Sequence, residues 1–200
     1  MKKWLIPVII IVALVFLAGA WLAKVNNELV PLEENVSAQW GNVESSYQRR
    51  ADLIPNIVNT AKGYAEFEQE TLIKVTEARS EATSIQIDPS NITPEQLQQF
   101  QQAQSGLTSA LSRLLAVFER YPDLKANENF KELINELERT ENRINVERNR
   151  FNDTARIFNT EIKKFPTNFA AGILGFDEKI YFQADEGSED APEVEFDFGN

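Results

Sequence analysis

Residues 127–165 read NENFKELINELERTENRINVERNRFNDTARIFNTEIKKF, and large apolar residues recur in this stretch at a strict interval of seven. The members of this seam are Phe130, Leu137, Ile144, Phe151, Phe158 and Phe165. A seven-residue interval keeps apolar side chains on one face of an α-helix, and that face needs neighbouring helices to cover it. The stretch therefore predicts a long helix inside an antiparallel bundle.

A second apolar seam lies upstream, in a stretch that opens with the signals of a helix start. Its members are Leu97, Phe100, Leu107, Leu111, Leu114 and Phe118. Before them, Thr93 can cap the helix, Pro94 suits the first helical position and Gln96 completes a capping box. We expect helices over Pro94–Glu119 and Asn127–Lys164.

The part of the chain before these helices contains a proline that indicates two further helices. Pro55 cannot donate a backbone hydrogen bond, so it costs about 3 kcal/mol in a helix interior but little in a first turn. Asp52, just before it, can cap a new helix. We expect helices over Val25–Arg50 and Leu53–Thr83, and short connections make the four helices antiparallel neighbours. The predicted fold class is all-α, with an N-terminal transmembrane helix followed by an antiparallel up-and-down four-helix bundle over residues 25–166.

The N-terminal segment, residues 1–24, predicts a membrane anchor. No charged residue occurs from Trp4 to Ala23, and a helix of that length, at about 1.5 Å per residue, covers the roughly 30 Å hydrocarbon layer. The residues expected to anchor it at the two interfaces are Lys2, Lys3, Trp4 and Trp21. Because the two lysines flank only the entering end, we expect a cytoplasmic N-terminus and a body outside the bacterial cytoplasmic (inner) membrane. Cleavage of a signal peptide after Ala20 is the alternative.

The C-terminal region predicts two different segments. Residues 167–182 are apolar but too short to span a bilayer, so we expect them to cover the end of the bundle and, secondarily, to touch lipid headgroups or a partner. Residues 183–200 form an acidic tail, with seven acids and no base after Ala184. Disorder is the expected state of this tail, although Val194–Phe198 alternates apolar and acidic residues with the period of a strand, as a peptide ligand would.

The composition excludes several classes of function. The chain contains no cysteine and no histidine, and its net charge is −11. Thiol and imidazole chemistry are therefore excluded, and the acidic balance argues against nucleic acid as a partner. Glu66, Glu68 and Glu70 do not converge on a metal, because residues two apart on a helix point about 200° apart. We expect no cofactor, no metal site and no enzymatic reaction, and a hydrolase is the least favoured class.

Two sets of polar residues follow helical spacing and are the candidate functional residues. The first set is Arg49, Asp52, Asn56 and Asn59, with Arg50 beside it as a further candidate, and the second set is Asn145, Asn149, Asn152 and Asn159, of which Asn152 and Asn159 are the candidates. Buried amides between helices would fix the register of the bundle, because an unpaired one costs about 1 to 3 kcal/mol. The alternative is a polar groove for a partner peptide, in which Arg49 or Arg50 holds a carboxylate.

Several short motifs occur in order along the chain. They are RRADLIPNIV at 49–58, KGYA at 62–65, ERYPDLKAN at 119–127, ENRI at 141–144, FN at 151–152 and 158–159, FP at 165–166 and GF at 175–176. In this order they resemble the motifs of the LemA family of bacterial membrane-anchored proteins. The resemblance covers almost the whole chain and implies a single N-terminal anchor and a helical bundle, with no assigned reaction. One departure is Phe67, where many members carry histidine.

These expectations combine into a membrane-anchored helical scaffold or protein-interaction module of the bacterial cell envelope. Its expected partners are the lipid bilayer, through the N-terminal helix, and a membrane or envelope protein that the sequence does not identify. A membrane-remodelling or enzyme-accessory factor acting at the lipid surface is the alternative. The sequence leaves the oligomeric state open.

Overall fold

The computed structural model describes residues 2–63, 68–89 and 92–183, and all regular secondary structure in that part of the chain is helical. The helices are α1 (Lys2–Lys62), α2 (Gln69–Ser84), α3 (Pro94–Phe118), α4 (Pro122–Ala126), α5 (Glu128–Lys163) and α6 (Thr167–Leu174). The all-α prediction is confirmed. The acidic tail beyond Gln183, including Val194–Phe198, lies outside the described residues.

α1 is uninterrupted and joins the predicted anchor to the predicted first helix of the body. The expected break before Leu53 is wrong, because Pro55 lies inside α1 and the turn towards α2 begins at Gly63. Pro55 leaves the carbonyl of Ala51 without its usual helical donor. Nε of Arg79 in α2 donates to that carbonyl at 2.7 Å. A second helix therefore supplies the hydrogen bond that Pro55 cannot make.

The first part of α1 stands clear of the rest of the protein. An 18-residue window there has a mean hydropathy of 2.8, and none of it is buried. Coverage by the body starts at Trp21 and Leu22, which are half-buried, and is nearly complete at Val25. α1 is therefore long and apolar enough to cross a membrane before it enters the body.

Contacts between helices give their relative directions. α1 runs antiparallel to α5, and α2 runs antiparallel to α3. The contacts that show this are Arg49–Glu136 and Gln39–Glu147 for the first pair, and Glu68–Arg120 and Ala82–Gln104 for the second. The short helix α6 packs against both α1 and α5.

The two apolar seams lie in the core, as predicted. All members of the upstream seam and the first five members of the seven-residue seam are buried. The exception is Phe165, which follows the end of α5 and is 82% exposed. The capping box at the start of α3 is also present, since the side chains of Thr93 and Gln96 each accept from the other's backbone N–H. The helices predicted here agree with α3 and α5 to within one residue at each end.

The core consists of two apolar clusters arranged along α1. The near cluster lies next to the apolar segment, and the far cluster lies towards the other end of α1. Their large members include Trp40, Phe100, Phe151, Phe158 and Phe182 in the near cluster, and Leu107, Leu114, Phe118, Phe130 and Leu137 in the far cluster. Between them, Arg50 on α1 and Gln104 on α3 are buried polar residues.

Candidate functional site

A buried arginine connects the helices between the two clusters. Arg50 is only 1% exposed, and its guanidinium donates to Oε1 of Gln104 (2.5 Å), Oγ1 of Thr108 (2.9 Å) and Oε1 of Glu141 (2.8 Å). Gln104 in turn donates to the carbonyl of Ala82 at 3.1 Å. These residues form a polar layer that joins α1, α2, α3 and α5.

The carboxylate that Arg50 holds belongs to this chain. Glu141 occupies the guanidinium, so Arg50 has the contacts of a residue that aligns helices rather than those of a receptor for an outside carboxylate. A buried ion pair adds little net stability, but breaking it by removing one partner is costly. Nε of Arg50 and Nε1 of Trp40 are the buried side-chain atoms that lack a hydrogen-bond partner among the described residues.

After α6 the chain turns back along α5. Gly175 ends α6 with a φ of 81°, a left-handed conformation that favours glycine. The N–H of Phe176 donates to the carbonyl of Ala171 at 3.0 Å and closes the turn. Residues 175–183 then continue without helical structure, and we call them the strap.

Two asparagines of α5 hold the strap by its backbone. Oδ1 of Asn159 accepts from the N–H of Lys179 at 2.8 Å, and Nδ2 of Asn159 donates to the carbonyl of Lys179 at 2.6 Å. Asn152 makes the same two bonds with Phe182, at 2.8 and 3.0 Å. Two helical turns separate the asparagines by about 10.5 Å, and three residues of extended chain span about 10 Å. The spacing of the asparagines therefore matches an extended strap that runs antiparallel to α5.

Aromatic side chains fix the end of the strap in the near cluster. The ring of Phe182 stacks on Trp40, with centroids 5.7 Å apart and planes 7° apart, and it meets Phe151 edge-on at 5.4 Å. Phe182 is 5% exposed. The strap is therefore part of the core. From the sequence, residues 167–182 were expected only to cover the end of the bundle.

A groove between α3 and α5 continues from the end of the strap. Arg148 of α5 and Gln101 of α3 both donate to the carbonyl of Gln183 at its mouth, at 2.8 and 3.4 Å. Beyond this point the groove encloses a cavity of about 520 Å³. Its large apolar lining residues are Tyr47, Leu111, Leu115, Leu137 and Ile144. Hydroxyl, amide and acidic side chains form the more exposed part of the lining.

The remaining candidates of the first polar set lie on the surface. Arg49 is exposed and pairs with Glu136 at 2.5 Å, and this hydrogen bond is the main cause that lowers the pKa of Glu136. Asp52 is an exposed residue inside α1 that accepts from Nε2 of Gln48 at 2.8 Å, so its predicted role as a helix cap is wrong. Asn56 is also exposed, and it is not a buried register residue.

Glu68 and Glu70, which were not expected to converge on a metal, have separate partners. Glu68 pairs with Arg120 at 2.7 Å. Glu70 accepts a hydrogen bond from Lys74, which lowers the pKa of Glu70. Glu66 lies outside the described residues. Within residues 2–63, 68–89 and 92–183, no three acidic side chains form a group that could hold a metal ion.

The expected membrane-interface residues lie at the ends of the apolar part of α1. Lys2 and Lys3 begin the helix. Trp4 is exposed, whereas Trp21 packs against the near cluster. The two tryptophans are about 26 Å apart along the helix.

Four buried polar residues, Ser46, Gln104, Thr140 and Glu147, were not predicted from the sequence, and neither was the role of the strap. Gln104 occupies a position of the α3 seam seven residues after Leu97, where the pattern calls for an apolar residue, so the signal was present. Glu147 lies three residues after Ile144 on the buried face of α5, where the helical pattern also calls for an apolar residue, and Gln39 and Arg150 contact its carboxylate. The strap has no periodic pattern, since its partners lie far away in the sequence.

Comparison with known proteins gives consistent matches. The sequence profile of the LemA family matches residues 39–196. Magnetosome protein MamQ 1 and magnetosome protein MamQ 2 of Paramagnetospirillum magneticum (strain ATCC 700264 / AMB-1) are each 30% identical over 174 residues, which cover 78% of this chain and 64% of theirs. Protein LemA of Metamycoplasma hominis is 30% identical over 160 residues, or 80% of this chain and 69% of its own. The chain therefore spans somewhat less than two thirds of the MamQ relatives.

Proposed function

The chain belongs to the LemA family, and on that premise we propose that it is a membrane-anchored interaction module of the bacterial cell envelope. In this proposal, the groove between α3 and α5 binds an extended segment of another envelope protein. The module catalyses no reaction. Its role is to hold the bound segment at a defined place beside the membrane.

The strap carries this proposal, because it shows how the fold binds an extended segment. Asn152 and Asn159 bond the backbone of the strap, and Phe182 fills an aromatic site. Backbone bonds of this kind recognise chain shape, and side-chain pockets add selectivity. Since the groove continues beyond Gln183, it supports the binding of a second segment along the same two helices.

The lining of the groove defines the kind of segment that fits. Leu111, Leu115 and Leu137 provide apolar contacts, and the charges of Arg50 and Glu141 offset each other. An extended segment that alternates apolar and polar residues would direct every second side chain to the apolar lining. We therefore propose an alternating segment that is recognised by its apolar side chains rather than by charge.

We interpret α1, α2, α3 and α5 as an up-and-down four-helix bundle. The two antiparallel pairs and the polar layer that contacts all four helices support this interpretation. In it, α1 supplies both the anchor and the first helix of the bundle. The bundle then provides α3 and α5 as stable walls of the groove.

We also propose that α1 crosses the bacterial cytoplasmic membrane once, with the N-terminus in the cytoplasm and the body outside. Lys2 and Lys3 at the entering end support this orientation. Protease added to intact spheroplasts should then degrade the body. Protection of the body until lysis would reverse the orientation, and a mature N-terminus at Trp21 would replace the anchor by a cleaved signal peptide.

Site-specific photo-crosslinking in cells tests the groove. Ser112 lines the groove, whereas Ser109, within one turn on α3, lines a separate pocket beside α2. A photoreactive residue at Ser112 should form adducts that map to one extended segment of an envelope protein, and the same residue at Ser109 should not. Adducts from Ser112 confined to residues 184–200 of the same chain would overturn the proposal, as would equal adducts from both positions.

A second candidate function is membrane remodelling, or assistance to an enzyme, at the lipid surface. The exposed apolar residues that follow α5 favour it. It predicts that the groove has no protein partner. Lipid adducts near α6 together with an absence of protein adducts at Ser112 would favour this candidate over the interaction module.

A further inference from the structure

α6 has two apolar faces, one of which is buried and the other exposed. Ala170 and Ala171 face the body and are buried in the near cluster. Phe165, just before the helix, and Phe169 and Ile173 within it follow at intervals of four residues and are 82%, 63% and 72% exposed. We call these three residues the outer face of α6. A helix on the surface of a body in water ordinarily carries polar residues there, so the outer face points to a contact with an apolar phase.

The outer face lies beside the place where α1 leaves the body. The contacts of Gln39 with Glu147 and of Trp40 with Phe151 set the antiparallel register of α1 and α5. At equal rise in both helices, that register places Phe165 level with roughly residues 21–26 of α1. Coverage of α1 by the body begins in this same interval. The outer face therefore adjoins the uncovered apolar part of α1.

We propose that the outer face of α6 lies in the interfacial region of the bilayer that α1 crosses, as a second contact of the body with the membrane. The inference rests on the proposed anchor. Lipid is favoured over a second copy of the chain because the outer face adjoins the apolar part of α1, which is long and apolar enough to cross a bilayer. The phenylalanine rings suit the boundary between headgroups and acyl chains.

The contact depends on apolar side chains more than on charge. Lysines do lie nearby, but each pairs with an acid of the same chain. These pairs are Lys24–Glu28, Lys163–Glu178 and Lys164–Glu161. Anionic lipid should therefore strengthen the contact only slightly.

The second contact restrains the height and tilt of the body. α5 leads from the outer face to the groove mouth, and Arg148 lies about 25 Å along the helix from Phe165. With α6 held in the interface, the mouth of the groove would stand at most about 25 Å from the outer face of α6 along the membrane normal. A segment bound there would belong to a protein that reaches the same height.

Depth measurements on the full chain in nanodiscs test the proposal. The chain has no cysteine, so single nitroxide labels can be attached at Ile173→Cys, at Ile73→Cys as an exposed isoleucine on α2, and at Val12→Cys within the apolar part of α1. We expect the label at 173 to be accessible to oxygen and protected from a water-soluble nickel reagent. The label at 73 should show the reverse.

Three other outcomes would contradict either the lipid contact or the anchor. A label at 173 as accessible to the nickel reagent as the label at 73, while the label at 12 is embedded, would overturn this inference and leave the anchor intact. A label at 12 that is itself in water would overturn the anchor. Protection at 173 from both reagents, with spin–spin broadening that grows with the number of chains per disc, would instead assign the face to a second copy and reject the lipid contact.

A paired substitution gives a second test. Phe169→Ser should reduce the oxygen accessibility of the label at 173 and raise its accessibility to the nickel reagent, because the face loses a large apolar side chain. Ile157→Ser, which alters an exposed isoleucine on α5, is the control and should change neither. Discs of zwitterionic lipid, with and without added anionic lipid, should give nearly the same depth. A depth that depends on anionic lipid would contradict the apolar contact.

Discussion

The near and far clusters share the apolar seam of α5, but different parts of the chain cover that seam. In the far cluster, every buried member lies in a helix, and Leu72 and Val75 of α2 contribute to the cover. In the near cluster, α2 has already ended, and two residues outside the helices enter the core. They are Ile87 from the connection between α2 and α3, and Phe182 from the strap. The apolar seam of a helix therefore predicts that other residues bury it, but it does not predict which part of the chain supplies them.

This difference predicts that a substitution in the residues that cover one cluster destabilises that cluster alone. A substitution in the polar layer should destabilise both clusters. The polar layer contacts both clusters, because Arg50 lies over the ring of Tyr47 in the near cluster and Gln104 donates to Ala82 of the far cluster. The strap contacts only the near cluster, and the pairing of α1 with α2 contributes only to the far cluster.

Removal of Arg50 should destabilise both clusters. Arg50→Met leaves the buried oxygen of Gln104 without its donor and Glu141 without its ion pair, so we expect the free energy of unfolding to fall by about 3 kcal/mol. Guanidinium unfolding of the full chain in detergent, followed by circular dichroism, measures the change. Arg49→Met is the matched control, because an exposed ion pair contributes at most about 1 kcal/mol.

A second substitution sharpens this result. Gln104→Leu should cost less in the Arg50→Met background than in the native chain, because the buried oxygen of Gln104 is already without its donor there, whereas the bond to the carbonyl of Ala82 is lost in both backgrounds. Equal losses for Arg49→Met and Arg50→Met would show that the polar layer does not couple the clusters.

Removal of one strap asparagine should affect the near cluster alone. Asn159→Ala leaves the backbone of Lys179 without two hydrogen bonds, and we expect a local loss of about 2 kcal/mol. Hydrogen exchange should then show reduced protection of the strap and unchanged protection of α2. Asn149→Ala, at an exposed position of the same helix, should change neither. Equal loss of protection in α2 would show that the clusters are a single unit.

The hydrogen bond from Arg79 to Ala51 should contribute more to stability when residue 55 is a proline than when it is an alanine. Arg79→Met should lower the free energy of unfolding by about 1 kcal/mol in the native chain. In a Pro55→Ala background the loss should be smaller, because the N–H of Ala at position 55 can serve the carbonyl of Ala51. A double-mutant cycle measures the coupling, and additive effects would refute this explanation of the uninterrupted helix.

The ion pair of Glu136 should give the smallest effect. Arg49 lowers the pKa of Glu136 below its ordinary value of 4.5. A depressed carboxyl pKa contributes stability above the unfolded pKa, and this contribution disappears as pH falls through the folded pKa. As pH falls below about 4.5, the free energy of unfolding should therefore decrease slightly less in Glu136→Gln than in the native chain, because the variant lacks this carboxyl group. Identical pH profiles for the two proteins would contradict the prediction.

Local sequence patterns were sufficient to predict the helices whose apolar periodicity and ends are both marked in the sequence. The seams and the capping box predicted α3 and α5 to within one residue at each end, because periodicity and capping involve residues a few positions apart. The long apolar run before the body is likewise a local property. Family motifs from residue 49 onward identified the LemA family, which the profile match shows.

Only the tertiary structure decided which polar residues have a structural role. Asn152 and Asn159 hold the strap, whereas Asn145 and Asn149, of the same residue type on the same helix, are exposed. The position of the strap distinguishes them, and its contacts lie 20 to 30 residues away in the chain.

The end of α1 also shows that local sequence does not reveal contacts made by distant residues. Seen locally, Asp52 and Pro55 predict a helix start, because a proline inside a helix leaves a carbonyl without a donor. Arg79 supplies that donor from α2, 28 residues beyond Ala51, and the helix continues. The sequence by itself determined that residue 55 has no backbone N–H to donate. The tertiary structure decided that another donor would replace it, since the replacement depends on how α1 and α2 pack.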